Sequence, residues 1–123
     1  ISRGWEHFRQ TEKQILLQTI HLHNQVISTG GGIILDEENR RYLHDNGTCI
    51  WLNADPDVIV QRMKTDAKTP GSRPALTDMD LEQETRTLLD LRNPLYETIA
   101  HMKVDTGKHA PEQIIETLYR RLV

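Results

Sequence analysis

A layered α/β domain with a mainly parallel sheet is the fold class this sequence predicts, on three observations. Short β-branched or apolar runs at Val26-Ile27, Thr48–Asn53 and Met102–Thr106 alternate with segments whose apolar residues recur at helical spacing. Thr48-Cys-Ile-Trp-Leu-Asn53 is almost unbroken in its apolar character, the pattern of a strand buried on both faces in a parallel sheet. The run Val26-Ile-Ser-Thr-Gly-Gly-Gly-Ile-Ile-Leu35 ends in three consecutive glycines and then opens a helix. In an open α/β sheet, ligands sit beyond the carboxyl ends of strands, where glycine lets amide groups approach an anion or hydroxyl.

Trp5, Phe8, Ile15, Leu16 and Ile20 predict an amphipathic helix from about Trp5 to Leu22, with Arg9 and Glu12 together on its other face. A strand over Val26–Thr29 leads into the glycines. Asp36 then caps a helix whose first turn carries Glu37 and Glu38, acids suited to the positive end of the dipole, and Gly47 ends it. Asp55-Pro56 supplies a cap and a first-turn proline before Val58, Ile59, Val60 and Met63. Residues 65–78 hold Lys68, Pro70, Gly71, Arg73 and Pro74 with little that could pack, which predicts a long mobile surface loop, of a length that is usually either functional or disordered. Leu81, Leu88 and Leu89 mark a further helix, expected to break or kink near Pro94. Met102–Thr106 is a third short strand, and Pro111 opens a final helix with Ile114, Ile115, Leu118, Tyr119 and Leu122 on one face.

At 123 residues the chain is one domain, residues 1–123. Fifteen basic and eighteen acidic side chains give a net charge of −3 without a basic stripe, which argues against nucleic acid or an anionic membrane surface as partner. No apolar stretch reaches the length of a membrane span. The single Cys49 cannot form an internal disulfide and fits a reduced, cytoplasmic setting as an inert core thiol. His21 and His23 lie two residues apart, on different sides of a helix, and no cluster at ligand spacing accompanies them, so no metal site is expected. Asp78-Met-Asp80 could act as a catalytic acidic pair but reads better as a cap of the helix that follows.

Three arginines stand in contexts that could aim them: Arg9 after Phe8, Arg73 before Pro74 in the loop, and Arg92 before Asn93-Pro94-Leu95-Tyr96. A guanidinium fork matches a carboxylate or phosphate, and converging forks define an anion site. Taken alone, each reads better as a solvated side chain or helix salt bridge, and Arg9 with Glu12 as an ordinary i, i+3 pair.

In order, these pieces resemble the shikimate kinase family. Phe8-Arg9-Gln-Thr-Glu12 is similar to its FRxxE segment, Ser28-Thr-Gly-Gly-Gly32 to its TGGG turn, and Ser72-Arg-Pro-Ala-Leu76 to the RPLL of its lid. Arg92-Asn-Pro-Leu-Tyr96 is similar to its RNPLY helix, and Val104-Asp-Thr106 with Pro111 to its adenine-bordering loop. The resemblance implies a three-layer parallel-sheet kinase fold of the nucleoside-monophosphate-kinase type, within the P-loop superfamily. It implies ATP-dependent phosphorylation of the shikimate 3-hydroxyl, a step of aromatic amino-acid (chorismate) biosynthesis, with Mg²⁺ accompanying ATP. By the same resemblance Arg9 and Arg92 would bind the shikimate carboxylate, Gly30, Gly31 and Gly32 would approach its ring and hydroxyls, and Glu12 would keep that site in shape. Arg73 would reach from the lid, residues 65–78, towards the transferring phosphate and the carboxylate. Arg62 would lie against adenine, with Lys108, His109 and Pro111 lining the other side. His109 stands where many relatives have arginine, and Ala75 where leucine is usual.

The family's GxxxxGK[ST] loop and the acidic pair after its second strand do not occur in these residues. Both belong to the part of the family's chain ahead of Ile1, as do its first two strands, one of which sits between those matching Val26–Thr29 and Thr48–Asn53. Two strand edges would be left unpaired, so the expectation is that an amino-terminal segment of the same polypeptide fills the gap. A reading of another class is a kinase-like binding or interaction module that has lost the phosphate loop.

Overall fold

The computed structural model describes residues 4–67 and 78–123. Arg73 and most of the expected lid therefore lie outside the described residues. Helix α1 spans Gly4–Thr19, α2 Glu37–Asn46, α3 Pro56–Ala67, α4 Asp78–Ile99 and α5 Pro111–Leu122, with strands β1 at Ile50–Asn53 and β2 at Met102–Asp105. The order β1-α3-α4-β2 places two helices between two strands, and β1 and β2 pair in parallel with Ile50 opposite Met102 and Asn53 opposite Asp105. This is the expected α/β class.

Several elements differ from their sequence expectation. Helix α1 stops at Thr19 and not near Leu22, because the Thr19 hydroxyl donates back to the carbonyls of Ile15 (3.0 Å) and Leu16 (3.2 Å) and the next turn tightens, with the Leu22 amide reaching Thr19. Asn24, at φ 58°, then turns the chain in the left-handed region. Val26–Thr29 forms no strand: Val26 is fully exposed, and among the described residues nothing pairs with this segment. β-branched residues favour extended backbone, but only a ladder makes a strand. Strand β1 is shorter than Thr48–Asn53 and is not buried on both faces, since Leu52 is 61% exposed. Among the described residues only β2 lies beside it. Thr65, Asp66 and Ala67 belong to α3, where the Thr65 hydroxyl bonds the Gln61 carbonyl at 3.1 Å, and Asp78 begins α4. Helix α4 runs unbroken through Pro94, since a proline removes only one amide donor from a ladder that the flanking turns sustain.

Other punctuation holds. Asp36 Oδ1 accepts from the amides of Glu38 (2.8 Å) and Asn39 (3.4 Å), capping α2. Gly47 follows α2 as expected but in extended conformation, φ −155°, so the stop there does not use glycine's left-handed freedom. Pro56 opens α3 with the Asp55 carbonyl taking the amides of Val58 and Ile59, and Pro111 opens α5.

An apolar cluster joins α1, the segment after the glycines, α2 and α4: Leu16 near the end of α1 and Ile20 just beyond it meet Ile33 and Ile34, with Tyr42, Leu43, Leu95, Tyr96 and Ile99 packed around them. Ile33 and Ile34 come directly after the glycines, so the core anchors that turn from below. By contrast α5 buries no residue, and Ile115 and Tyr119 on its apolar side are 66% and 64% exposed.

Candidate active site

The glycines do not open a helix directly. Gly31–Leu35 forms a short 3-10 turn, and Gly30 precedes it in extended conformation. Side chains from two helices converge on it. The backbone carbonyls of the turn are held in sequence: Gly31 by the Tyr96 hydroxyl (2.7 Å), Ile33 by Asn39 Nδ2 (3.1 Å), and Ile34 by Arg40 Nη1 (2.7 Å). Asn39 lies in the first turn of α2, and the cap that starts that helix also fixes Asn39 beneath the glycines. Lys13 of α1 reaches Asp36 and Glu38, at 3.2 Å each, and ties the start of α2 to α1. Desolvation pushes the Asp36 carboxyl up, but the hydrogen bonds from Lys13 and from the amides of Glu38 and Asn39 together outweigh it and hold it below the usual carboxylate range. The Lys13 ammonium is correspondingly raised, first by its bond to Asp36.

Above the turn stand the expected arginines. Arg9 rests over the rings of Phe8 and Trp5, at 5.2 and 5.4 Å from their centroids, and donates to Glu12 Oε1 at 2.8 Å. Its guanidinium lies so close to Gly32 that a Cβ there would fall 2.7 Å from Cζ and from Nη1, well inside contact. Glu12 Oε2 would stand 3.7 Å from a Cβ on Gly30. Arg92 approaches from α4, with Nη1 3.5 Å and the Tyr96 hydroxyl 3.0 Å from where a Cβ on Gly31 would be. The structure thus brings Arg9, Glu12, Gly30, Gly31, Gly32 and Arg92 to one place, and the three glycines leave room for the side chains that crowd it.

The two arginines differ electrostatically. Arg9 shares its charge with Glu12, whereas Arg92 makes no ion pair among the described residues, and its buried Nε has no hydrogen-bond partner there. A half-buried guanidinium with an unsatisfied donor, beside a second guanidinium and a side-chain-free backbone, suits an anionic group with neighbouring hydroxyls.

The expected nucleotide side lies at the carboxyl ends of β1 and β2. Arg62 of α3 donates to the Thr106 hydroxyl and carbonyl, both at 2.9 Å, and the Thr106 hydroxyl donates to the Asn53 carbonyl at 3.0 Å. Lys108 stands 3.7 Å from Asp105, while His109 and Pro111 are exposed. Arg62 and Val58 also border an open groove with Asp57, Gln61, Thr65 and Asp66. Among the described residues no group of three His, Cys, Asp or Glu side chains gathers to hold a metal ion. The described residues therefore do not by themselves assemble such a cluster for Mg²⁺.

Residue chemistry alone does not single out Asn39, Arg40, Tyr96 or Thr106; Tyr96 and Thr106 enter only within the motifs that resemble the family's. For Tyr96 the signal was available, since it follows Arg92 by four positions and must share its helix face. Asn39 and Arg40 carried none, because a polar residue in a helix's first turns looks solvated until the tertiary structure buries it.

This combination of a parallel α/β core and an arginine-flanked glycine turn makes the chain an α/β protein with a candidate anion site. The chain superposes on the crystal structure of shikimate kinase from Bacteroides thetaiotaomicron with a TM-score of 0.81 at 29% identity, over 98% of this chain and 68% of that one. It superposes on shikimate kinase from Acinetobacter baumannii in complex with shikimate with a TM-score of 0.82, also at 29% identity, over 98% of this chain and 65% of that one. In sequence it is 38% identical to a shikimate kinase of Rhodopirellula baltica over 108 residues, 88% of this chain and 58% of that protein. It is likewise 38% identical to shikimate kinase 2 of Pectobacterium carotovorum over 119 residues, 97% of this chain and 67% of that protein. The shikimate kinase family model matches residues 1–123, and the chain belongs to that family. It spans between 58% and 68% of the length of these relatives.

Proposed function

We propose that the polypeptide carrying this chain is an ATP-dependent phosphotransferase that moves the γ-phosphoryl group of ATP to the 3-hydroxyl of shikimate, in aromatic amino-acid biosynthesis. The observation that carries the reading is the convergence of Arg9 and Arg92 on Gly30–Gly32. Arg92 and Arg9 bind the substrate carboxylate, Glu12 fixes the Arg9 guanidinium at 2.8 Å, and the glycines let the ring and hydroxyls approach the backbone. Arg73 adds charge neutralisation at the transferring phosphoryl group, and Arg62, His109 and Pro111 border adenine. Direct phosphoryl transfer requires positioning and charge neutralisation, with no covalent enzyme intermediate. The GxxxxGK[ST] loop that neutralises the β- and γ-phosphates, and whose hydroxyl meets Mg²⁺, is not among these 123 residues, so no step through the ion is assigned to them. Support for the reading comes from the family match and from a relative whose solved structure is a complex with shikimate. A cytoplasmic setting goes with it: Cys49 is half-buried, and burial pushes its thiol up, away from reactivity.

The test is shikimate-dependent ADP release by the purified polypeptide, with the product identified as a shikimate 3-phosphate by phosphorus NMR and the intact mass read beside the 14.3 kDa of these residues. Shikimate binding without phosphoryl transfer would replace the kinase reading with that of a binding module.

A further inference from the structure

The carbonyls of the glycine turn are not all held from the same side. Asn39 and Arg40 of α2 hold those of Ile33 and Ile34, behind the glycines, where the isoleucines are already buried in the core. Gly31, at the front, is held by α4, through the Tyr96 hydroxyl at 2.7 Å across 65 residues of sequence. Tyr96 and Arg92 are one helical turn apart on α4, and both approach the same point, 3.0 and 3.5 Å from where a Gly31 Cβ would be. The Tyr96 ring is itself fixed, leaning on Trp51 of β1 at 5.6 Å between centroids and packing against the core cluster.

We infer that Tyr96 is a positioning residue of the substrate site, its hydroxyl locking the Gly31 peptide in register with the Arg92 guanidinium. The peptide linking Gly31 to Gly32 is planar and trans, so a Gly31 carbonyl pinned towards Tyr96 forces the Gly32 N–H to the opposite side. Without that bond the front of the turn is held only by the local bonds of the 3-10 turn, such as the Ile33 amide to the Gly30 carbonyl at 3.4 Å, and its glycines leave the Gly31 peptide more freedom to rotate than any other residues would. Tyr96 thus acts through the backbone and touches no reacting atom. One helix face delivers both the charged fork and the bond that sets the backbone against it, so substrate and turn share a common reference.

This inference rests on the shikimate kinase reading, and the experiment separates the two. Tyr96→Phe, Gly31→Ala and the double variant are compared with the parent full-length polypeptide by steady-state kinetics in both substrates. KM does not depend on how much enzyme is folded, so a loss of stability alone does not move it. Tyr96→Phe is expected to raise the KM for shikimate roughly three- to tenfold while the KM for ATP stays within about twofold. Gly31→Ala should cost less when combined with Tyr96→Phe than in the parent, because the hydroxyl oxygen its Cβ meets at 3.0 Å is gone. An unchanged shikimate KM in Tyr96→Phe, an equal rise in both KM values, or strict additivity of the two substitutions would overturn the inference. Absence of shikimate-dependent turnover in the parent would overturn the function reading instead.

Discussion

The two ends of the site are built in opposite ways. Around Gly30–Gly32, side chains from α1 and α4 press against bare backbone, α2 holds the turn from behind, and the core cluster lies directly beneath. Around Thr106, a single arginine bridges α3 to the end of β2, while His109 and Pro111 stand exposed and α5 beyond them buries nothing. A small rigid acid with a carboxylate and hydroxyls is recognised by direction, which needs a packed frame around each donor. A flat base is gripped by surfaces, which a strand end and a side chain can supply.

On that contrast, substitutions at the packed end should be severe and selective. Gly32→Ala is expected to do most damage, because its Cβ cannot coexist with the Arg9 guanidinium in place; overpacking of this kind costs about 1–3 kcal/mol. Isothermal titration should show shikimate affinity falling roughly ten- to hundredfold with nucleotide affinity nearly unchanged. Arg92→Lys comes next, since a point charge cannot replace a planar fork. Lysine keeps the charge and one of the two bonds, so a loss of about 1–1.5 kcal/mol in shikimate binding is expected, and equal losses for shikimate and ATP would break the assignment of Arg92 to the acid.

At the open end effects should be smaller and fall on the other ligand. Thr106→Val removes the hydroxyl between Arg62 and the Asn53 carbonyl, worth about 1 kcal/mol, and should raise the KM for ATP several-fold while leaving that for shikimate alone. A larger effect on shikimate would mean that the two ends are mechanically one.

The smallest effect concerns the support of the packed end. Asp36→Ala removes the α2 cap and should lower stability by about 1 kcal/mol in thermal or denaturant unfolding. The Asp36 carboxyl titrates below its ordinary value of 3.8 in the folded chain, so its contribution is fully present above that value and is lost as pH falls through the lower folded value. The parent and Asp36→Ala should therefore converge in stability on strong acidification.

Much of this was legible in residues alone. The α2 start at Asp36, the α3 and α5 starts at prolines, and the parallel pairing of two apolar runs follow from local chemistry that reads the same in a peptide as in a protein. The order of the arginine and glycine segments was enough to find the family. Where reading failed, a long-range partner decided the outcome. Val26-Ile27 has strand composition, but a ladder requires a neighbouring chain and none lies beside it among the described residues. The burial of Leu52 likewise depends on what covers it and not on its own side chain.

The sequence by itself determined where helices begin, which residues carry charge to the site, and that three adjacent positions must do without side chains. Only the tertiary structure decided what those glycines make room for: Arg9 at Gly32, Arg92 and Tyr96 at Gly31, Glu12 near Gly30. The reason is physical. A cap or a proline acts within one turn of its own backbone, whereas Tyr96 meets Gly31 across 65 residues, a contact that exists only once Ile33, Ile34 and the end of α4 have been packed into the same core.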